Sequence, residues 1–152
     1  MRAVIDLAKS SGVTAVIASD QAVIQYARKT GMEIHMSTQT NITNIEAVRY
    51  YSAFADVMVT ARELCLEQVK TITEAIEREN VCGPSGKPVR IEVFIHGALC
   101  FSYSGLCLAS SFFGGRSSLR GRCVQPCRRL YRTGRDQGYF LSPNDLSAID
   151  LI

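Results

Sequence analysis

The chain has 152 residues, enough for one domain. With 47% apolar and 20% charged residues, its composition is that of a globular protein and excludes a disordered or collagen-like chain. The formal net charge of +3 hides an asymmetry: residues 1–111 hold 10 Lys and Arg against 11 Asp and Glu, whereas residues 112–152 hold seven Arg, no Lys and three Asp.

No apolar run approaches the roughly 18–20 residues of a membrane-spanning helix. The first residues have an amphipathic helical pattern and lack the apolar region of a signal peptide. A cytoplasmic protein with no membrane partner is therefore expected. In that compartment thiols stay reduced, so the six cysteines read as thiols or metal ligands rather than disulfides.

In chain order, residues 2–11 read as a helix, with Val4, Ile5, Leu7 and Ala8 on one face. The run TAVIA at 14–18 reads as a strand. Ser19 or Asp20 can cap a helix over 21–30. Residues 33–36 (EIHM) read as a second strand, followed by a polar turn. Thr43 or Asn44 can cap a helix over 45–54. Residues 56–60 (DVMVT) form the third expected strand, 63–78 a helix, and 90–95 (RIEVFI) the fourth strand. Short apolar strands alternating with longer helices indicate parallel β/α units buried on both faces. A (β/α) barrel and a doubly wound sheet both fit this pattern.

The first helix has no strand before it. The segment LSPNDLSAIDLI at 141–152 reads as a helix beginning at Ser142, Pro143 and Asn144. Both features lead to the expectation of an incomplete chain. We divide it into a β/α portion, 1–111, and an Arg- and Cys-rich loop region with the start of a further element, 112–152.

Four cysteines fall in residues 92–128, spaced C-x6-C-x15-C-x3-C: Cys100, Cys107, Cys123 and Cys127. Four thiolates can close a zinc or iron–sulfur site. Wide gaps suit a group held by loops from several elements. Cys65 and Cys82 read as structural. The candidate catalytic residues are Glu92, His96 and His35. His96 is expected at the C-terminal end of the fourth strand, where parallel β/α folds bind ligands. His35 lies on a strand, where an interior histidine satisfied by its neighbours is the plainer reading. Glu92 faces either the barrel interior or solvent.

Arg116, Arg120, Arg122, Arg128 and Arg129 are candidate contacts to nucleic acid or another anion. A solvated loop, or arginines paired with acids elsewhere in the fold, is the competing reading. No GxSxG, HExxH, P-loop or GxGxxG motif is present.

The stretch 92–110 resembles peptidase family U32, the collagenase-like peptidases. The family signature is, in outline, E-x-F-x-x-G-[SA]-[LIVM]-C-x4-G-x-C-x-[LIVM]-S. Glu92, Phe94, Gly97, Ala98, Leu99, Cys100, Gly105, Cys107 and Ser110 occupy its places in register. Ala109 departs from it, being smaller than the aliphatic residue asked for. GGR at 114–116, RGRCVQPCR at 120–128, LSPNDL at 141–146, HMSTQTNITN at 35–44 and ARELCLEQV at 61–69 also resemble family segments.

The resemblance implies a partial TIM barrel, of which this chain is the central part, lacking the first strands and the closing segments. It implies either collagenase-like proteolysis or iron–sulfur-dependent hydroxylation of a tRNA or rRNA pyrimidine with prephenate, as in related proteins. A non-catalytic fragment of such a protein is the remaining expectation. The resemblance also implies a 4Fe–4S cluster on Cys100, Cys107 and Cys123 in the full-length protein. The fourth ligand is then Cys127 or a cysteine further downstream, and in the second case the fragment by itself lacks the cluster.

Overall fold

The computed structural model of the protein describes residues 1–97, 100, 102–104, 106–132, 134, 138–141 and 146–147. The chain divides into two units, Met1–Val93 and Phe94–Ile152.

The first unit runs α1 (Arg2–Ser10), β1 (Ala15–Ala18), α2 (Gln21–Lys29), β2 (Glu33–Met36), α3 (Ile45–Ser52), β3 (Val57–Val59), α4 (Leu66–Glu79) and β4 (Arg90–Glu92). Each helix start has a local cause. Asp20 accepts a hydrogen bond from the Val23 amide at 3.0 Å, and Asn44 accepts one from the Ala47 amide at 2.9 Å; both satisfy amides that a helix leaves unpaired. At α4 the arrangement is reciprocal to that: the Cys65 amide donates to Gln68 Oε1 at 2.9 Å. This places the start of α4 at Leu66, three residues later than the apolar pattern indicates, and leaves Leu64 buried in the loop before it.

The four strands are parallel and lie in the order β1-β2-β3-β4. Side chains alternate across a strand. Val16, Ala18, Ile34, Met36, Met58 and Ile91 join Ile5, Ile24, Ala27, Val48, Ile72 and Ile76 in one core cluster. All four helices thus pack on one face of the sheet. Sequential strand order with helices on one face is the topology of a segment of a β/α barrel, whereas a doubly wound sheet reverses its order and carries helices on both faces. Four strands do not by themselves close a barrel.

The other sheet face carries Ile17, Glu33, His35, Val57, Val59, Arg90 and Glu92 by the same alternation. It is not the uniformly buried surface expected of near-continuous apolar strands. Val57 and Val59 are buried, but Ile17, Arg90, Glu92 and Glu33 are exposed.

An ion-pair cluster joins α3 to α4. Arg49 bonds both Glu46 and Glu79, and Arg78 also bonds Glu79. The Arg49 guanidinium, then Arg78, holds the Glu79 carboxyl below the ordinary carboxylate value of 4.5. A depressed folded-state value means that the contribution to stability is fully present above 4.5 and is lost as pH falls through the lower folded-state value. Glu79→Gln is therefore expected to be less stable than the parent at pH 7, with the gap closing by pH 3. Denaturant titrations at the two pH values measure it; a gap that is constant with pH refutes the linkage.

The second unit contains the short pair β5 (His96–Gly97) and β6 (Leu146–Ser147), α5 (Ala109–Gly114) and two 3-10 turns, Ser118–Arg120 and Pro126–Arg128. Tyr131 and Tyr139 exchange backbone hydrogen bonds at 2.9 Å, and Tyr131 Oη donates to the Pro126 carbonyl at 2.7 Å. Among the described residues only Ser104, Ser110 and Pro126 are buried. What the described part shows is a hydrogen-bonded scaffold without an apolar core.

Three expectations are corrected here. The fourth strand ends at Glu92 rather than at residue 95. Its last rung is Thr60 N–H to the Glu92 carbonyl at 3.1 Å, and after Ala61 the chain of β3 turns toward α4. Residues 93–95 continue the apolar run outside any strand element. His96 consequently does not end β4. It lies in β5, antiparallel to β6. Leu146 and Ser147 accordingly form a strand where a helix was expected; Ser142, Pro143, Asn144 and the remainder of that expected helix lie outside the described residues, as do Ala98, Leu99 and Gly105 of the signature.

Candidate functional site

Two groups of candidate residues form, one in each unit. The first sits on the helix-free face of the sheet. In the register, His35 pairs with Val57, which pairs with Arg90, and Val59 pairs with Glu92. Neighbouring parallel strands are about 4.8 Å apart, so side chains on β2 and β4 must arch over β3 to meet. They do so twice. His35 Nδ1 lies 3.2 Å from Glu92 Oε2, and Arg90 Nη2 donates to Glu33 Oε1 at 2.6 Å. His35 Nε2 lies 3.6 Å from the same Glu33 oxygen. Val57 and Val59, beneath these pairs, are buried.

His35 is thus flanked by a carboxylate at each ring nitrogen. Such a group has a proton donor or acceptor within reach on both sides of the ring, the geometry that proton transfer needs. Sequence reading finds His35 and Glu92 separately and misses Glu33 and Arg90. The available signal was period two: Glu33 and Arg90 each lie two residues before a candidate and so share its face.

Polar loops bound this face at the C-terminal strand ends. Ser19 Oγ donates to Gln39 Oε1 at 3.0 Å, and Thr38 Oγ1 donates to the Thr60 carbonyl at 3.2 Å. Ala61 N–H donates to the Ile42 carbonyl at 2.9 Å. These bonds tie the loops after β1, β2 and β3 to one another.

The second group is built around the cysteines. None of the six cysteines is in a disulfide. Cys123 is the exposed one, and its sulfur accepts two hydrogen bonds, from Gln125 N–H at 3.4 Å and from Ser110 Oγ at 3.6 Å. Ser110 is fully buried, and its Oγ also accepts from the Val124 amide at 3.1 Å. Gln125 takes a left-handed conformation, φ 51°, which leads the chain from this contact into the Pro126–Arg128 turn. Among the described residues no three His, Cys, Asp or Glu side chains converge as a set that could hold a metal ion.

Between Ser110 and Cys123 runs the arginine loop. Its backbone is pinned at both ends. Arg116 N–H donates to the Ser110 carbonyl at 3.1 Å, Ser111 Oγ donates to the Arg116 carbonyl at 3.0 Å, and Ser118 Oγ donates to the Cys107 carbonyl at 2.9 Å. Gly115 and Gly121 supply the left-handed corners, at φ 60° and 71°, that a side chain would strain. The loop closes on itself with Arg122 N–H to the Ser117 carbonyl at 3.1 Å. The result is a cavity of about 440 Å³ lined by Gly115, Arg116, Ser117, Arg120 and Arg122.

Three of the five arginines singled out from composition therefore line one cavity. Arg128 is half-buried in the 3-10 turn, Arg129 is exposed beyond it, and neither lines the cavity. His96 is exposed in β5.

The sequence profile of Peptidase family U32 matches residues 1–152. The chain belongs to that family. Among its curated U32 relatives is a "Collagenase" of Porphyromonas gingivalis (strain W83), 51% identical across all of this chain and 39% of the relative. The "tRNA hydroxylation protein P1" of Bacillus subtilis is 32% identical over 93% of this chain and 35% of the relative. The "23S rRNA 5-hydroxycytidine C2501 synthase" of Escherichia coli is 38% identical over 87% of this chain and 18% of the relative. The chain thus spans well under half the length of these U32 relatives. No solved structure matches it significantly. No helix among the described residues is long and apolar enough to cross a membrane.

Proposed function

We propose that this U32 chain is the cysteine-bearing part of an iron–sulfur-dependent enzyme that hydroxylates a pyrimidine in tRNA or rRNA. The observation that carries this reading is the Cys123 sulfur, which accepts one backbone and one hydroxyl hydrogen bond beside a loop of three arginines. Hydrogen bonds to sulfur orient a ligating thiolate and tune a bound cluster, so the surroundings of Cys123 suit a ligand, although the four cysteines do not converge on one point in this structure. The scarcity of buried residues in the described part of the second unit supports it further, since small units without an apolar core depend on metals or other staples.

Cys100, Cys107 and Cys123 would hold the cluster, with Cys127 or a cysteine elsewhere in the full-length protein as the fourth ligand. A cluster bound there would supply one-electron redox chemistry. The residues of this chain then have separate tasks. Arg116, Arg120, Arg122, Arg128 and Arg129 supply positive charge for the RNA; among the described residues the first three have no carboxylate partner. His35, held between Glu33 and Glu92, would keep or release a proton at its ring nitrogens. A prephenate-like small molecule is the proposed co-substrate, carried over from the resemblance to the hydroxylation proteins.

The test is to prepare the full-length protein anaerobically and assay iron, acid-labile sulfide and hydroxylated pyrimidine in RNA from a strain lacking the gene. Bound iron and sulfide, with the modification restored by the gene, are expected. Colourless, iron-free protein that leaves RNA unchanged refutes the proposal.

A second reading, proteolysis, is favoured by the "Collagenase" relative at 51% identity. Gelatin cleavage that survives replacement of all four cysteines of the second unit would establish it in place of the first.

A further inference from the structure

We infer that the cavity formed by Arg116, Arg120 and Arg122 is the seat of one phosphodiester group of a single-stranded RNA backbone. The inference rests on the RNA-directed reading above and names the atoms that grip the substrate.

The cavity, at about 440 Å³, lies in the range of about 300–1,000 Å³ typical of ligand sites. Its polar lining is guanidinium, hydroxyl and backbone. Guanidinium presents donors in a planar fork that matches phosphate oxygens, and it stays charged at any physiological pH. Three like charges on one short loop repel one another, and no described carboxylate neutralises them. From Val93 to Arg135 the chain has no acidic residue at all. An anion is the ligand that resolves this arrangement.

Two features select a polymer backbone over a small free anion. All three arginines are exposed, so the site takes its ligand from the surface and does not enclose it. Charge also continues along the chain through Arg128, Arg129 and Arg132, which suits a ligand bearing several phosphates. The loop is moreover fixed before binding. Its bonds to Ser110, Ser111 and the Cys107 carbonyl hold the backbone from which the three arginines project. Since Ser110 also bonds the Cys123 sulfur, a phosphate held here is registered against that cysteine through one buried side chain.

The experiment measures binding of a fluorescent single-stranded RNA to the full-length protein across a salt series. Arg120→Gln and Arg122→Gln are compared with Arg78→Gln, which removes the same charge from α4. Each of the first two is expected to weaken binding roughly tenfold at 0.1 M salt, the loss of a charge-assisted hydrogen bond, and to reduce the slope of log K against log salt by about 0.7, as for one single-strand contact. Arg78→Gln should leave the slope unchanged. Equal losses in all three variants would mean that net charge alone is read, and would overturn the site.

Unchanged binding in Arg120→Gln and Arg122→Gln would overturn the site while leaving the RNA reading intact. Absence of RNA binding by the parent protein would overturn both. Calorimetry with inorganic phosphate separates a free-anion pocket: phosphate binding as tight as the oligonucleotide would overturn the backbone assignment. Thermal melts of each variant guard against misfolding, which the exposure of all three side chains makes a minor effect.

Discussion

Replacement of Cys123 by alanine in the full-length protein is expected to lower bound iron and acid-labile sulfide to background and to abolish RNA hydroxylation. The side chain is exposed, so its loss removes little packing. What it removes is the acceptor for two hydrogen bonds, from Ser110 and Gln125, and one of the proposed cluster ligands. Iron–sulfur clusters are held chiefly by cysteine thiolates. Cys127→Ala, four residues on, is the informative partner experiment. Iron retained in Cys127→Ala would place the fourth ligand elsewhere in the full-length protein. Full iron occupancy in Cys123→Ala would remove this cysteine from the proposed site.

Met58→Ala is expected to destabilise the first unit by about 2–5 kcal/mol, the range for deleting a buried Met, Leu or Ile side chain. Met58 is 0% exposed and sits mid-strand in β3, between Met36 and Ile91 in the register. Strands on both sides and helices on the apolar face leave little freedom to collapse into the cavity, which places the cost in the upper part of that range. Ile17→Ala on β1 is the control. Ile17 is 65% exposed, so its truncation should change stability by under about 1 kcal/mol. Chemical denaturation followed by circular dichroism reads both. Comparable losses at the two positions would contradict the one-sided core.

The parts of this fold legible in the sequence are those with local causes. TAVIA, EIHM and DVMVT are short apolar runs, and Asp20 and Asn44 mark helix starts with side chains that cap them. The end of β4 was not legible, because residues 93–95 are as apolar as those before them; whether a segment pairs is decided by its neighbour, and β3 ends first. The His35–Glu92 contact was equally hidden, since only the register across β3 brings residues 57 positions apart together. The cysteines and arginines announced themselves by composition. Which three arginines share a cavity depended on left-handed corners at Gly115 and Gly121 and on serines whose partners no spacing rule identifies.

The sequential strand order has a consequence for how the sheet assembles. The paired positions Ala15 and Glu33, His35 and Val57, and Val57 and Arg90 are each separated by a single α-helix and its connecting segments. Every pairing therefore closes a short loop at modest entropic cost, and none waits for a distant segment to arrive. The two arches over β3 are different. His35 with Glu92 and Glu33 with Arg90 both span 57 residues, and neither can form until β2, β3 and β4 are all in place. The paired groups over β3 are thus a late product of folding: they exist only in molecules whose sheet has been completed through its fourth strand.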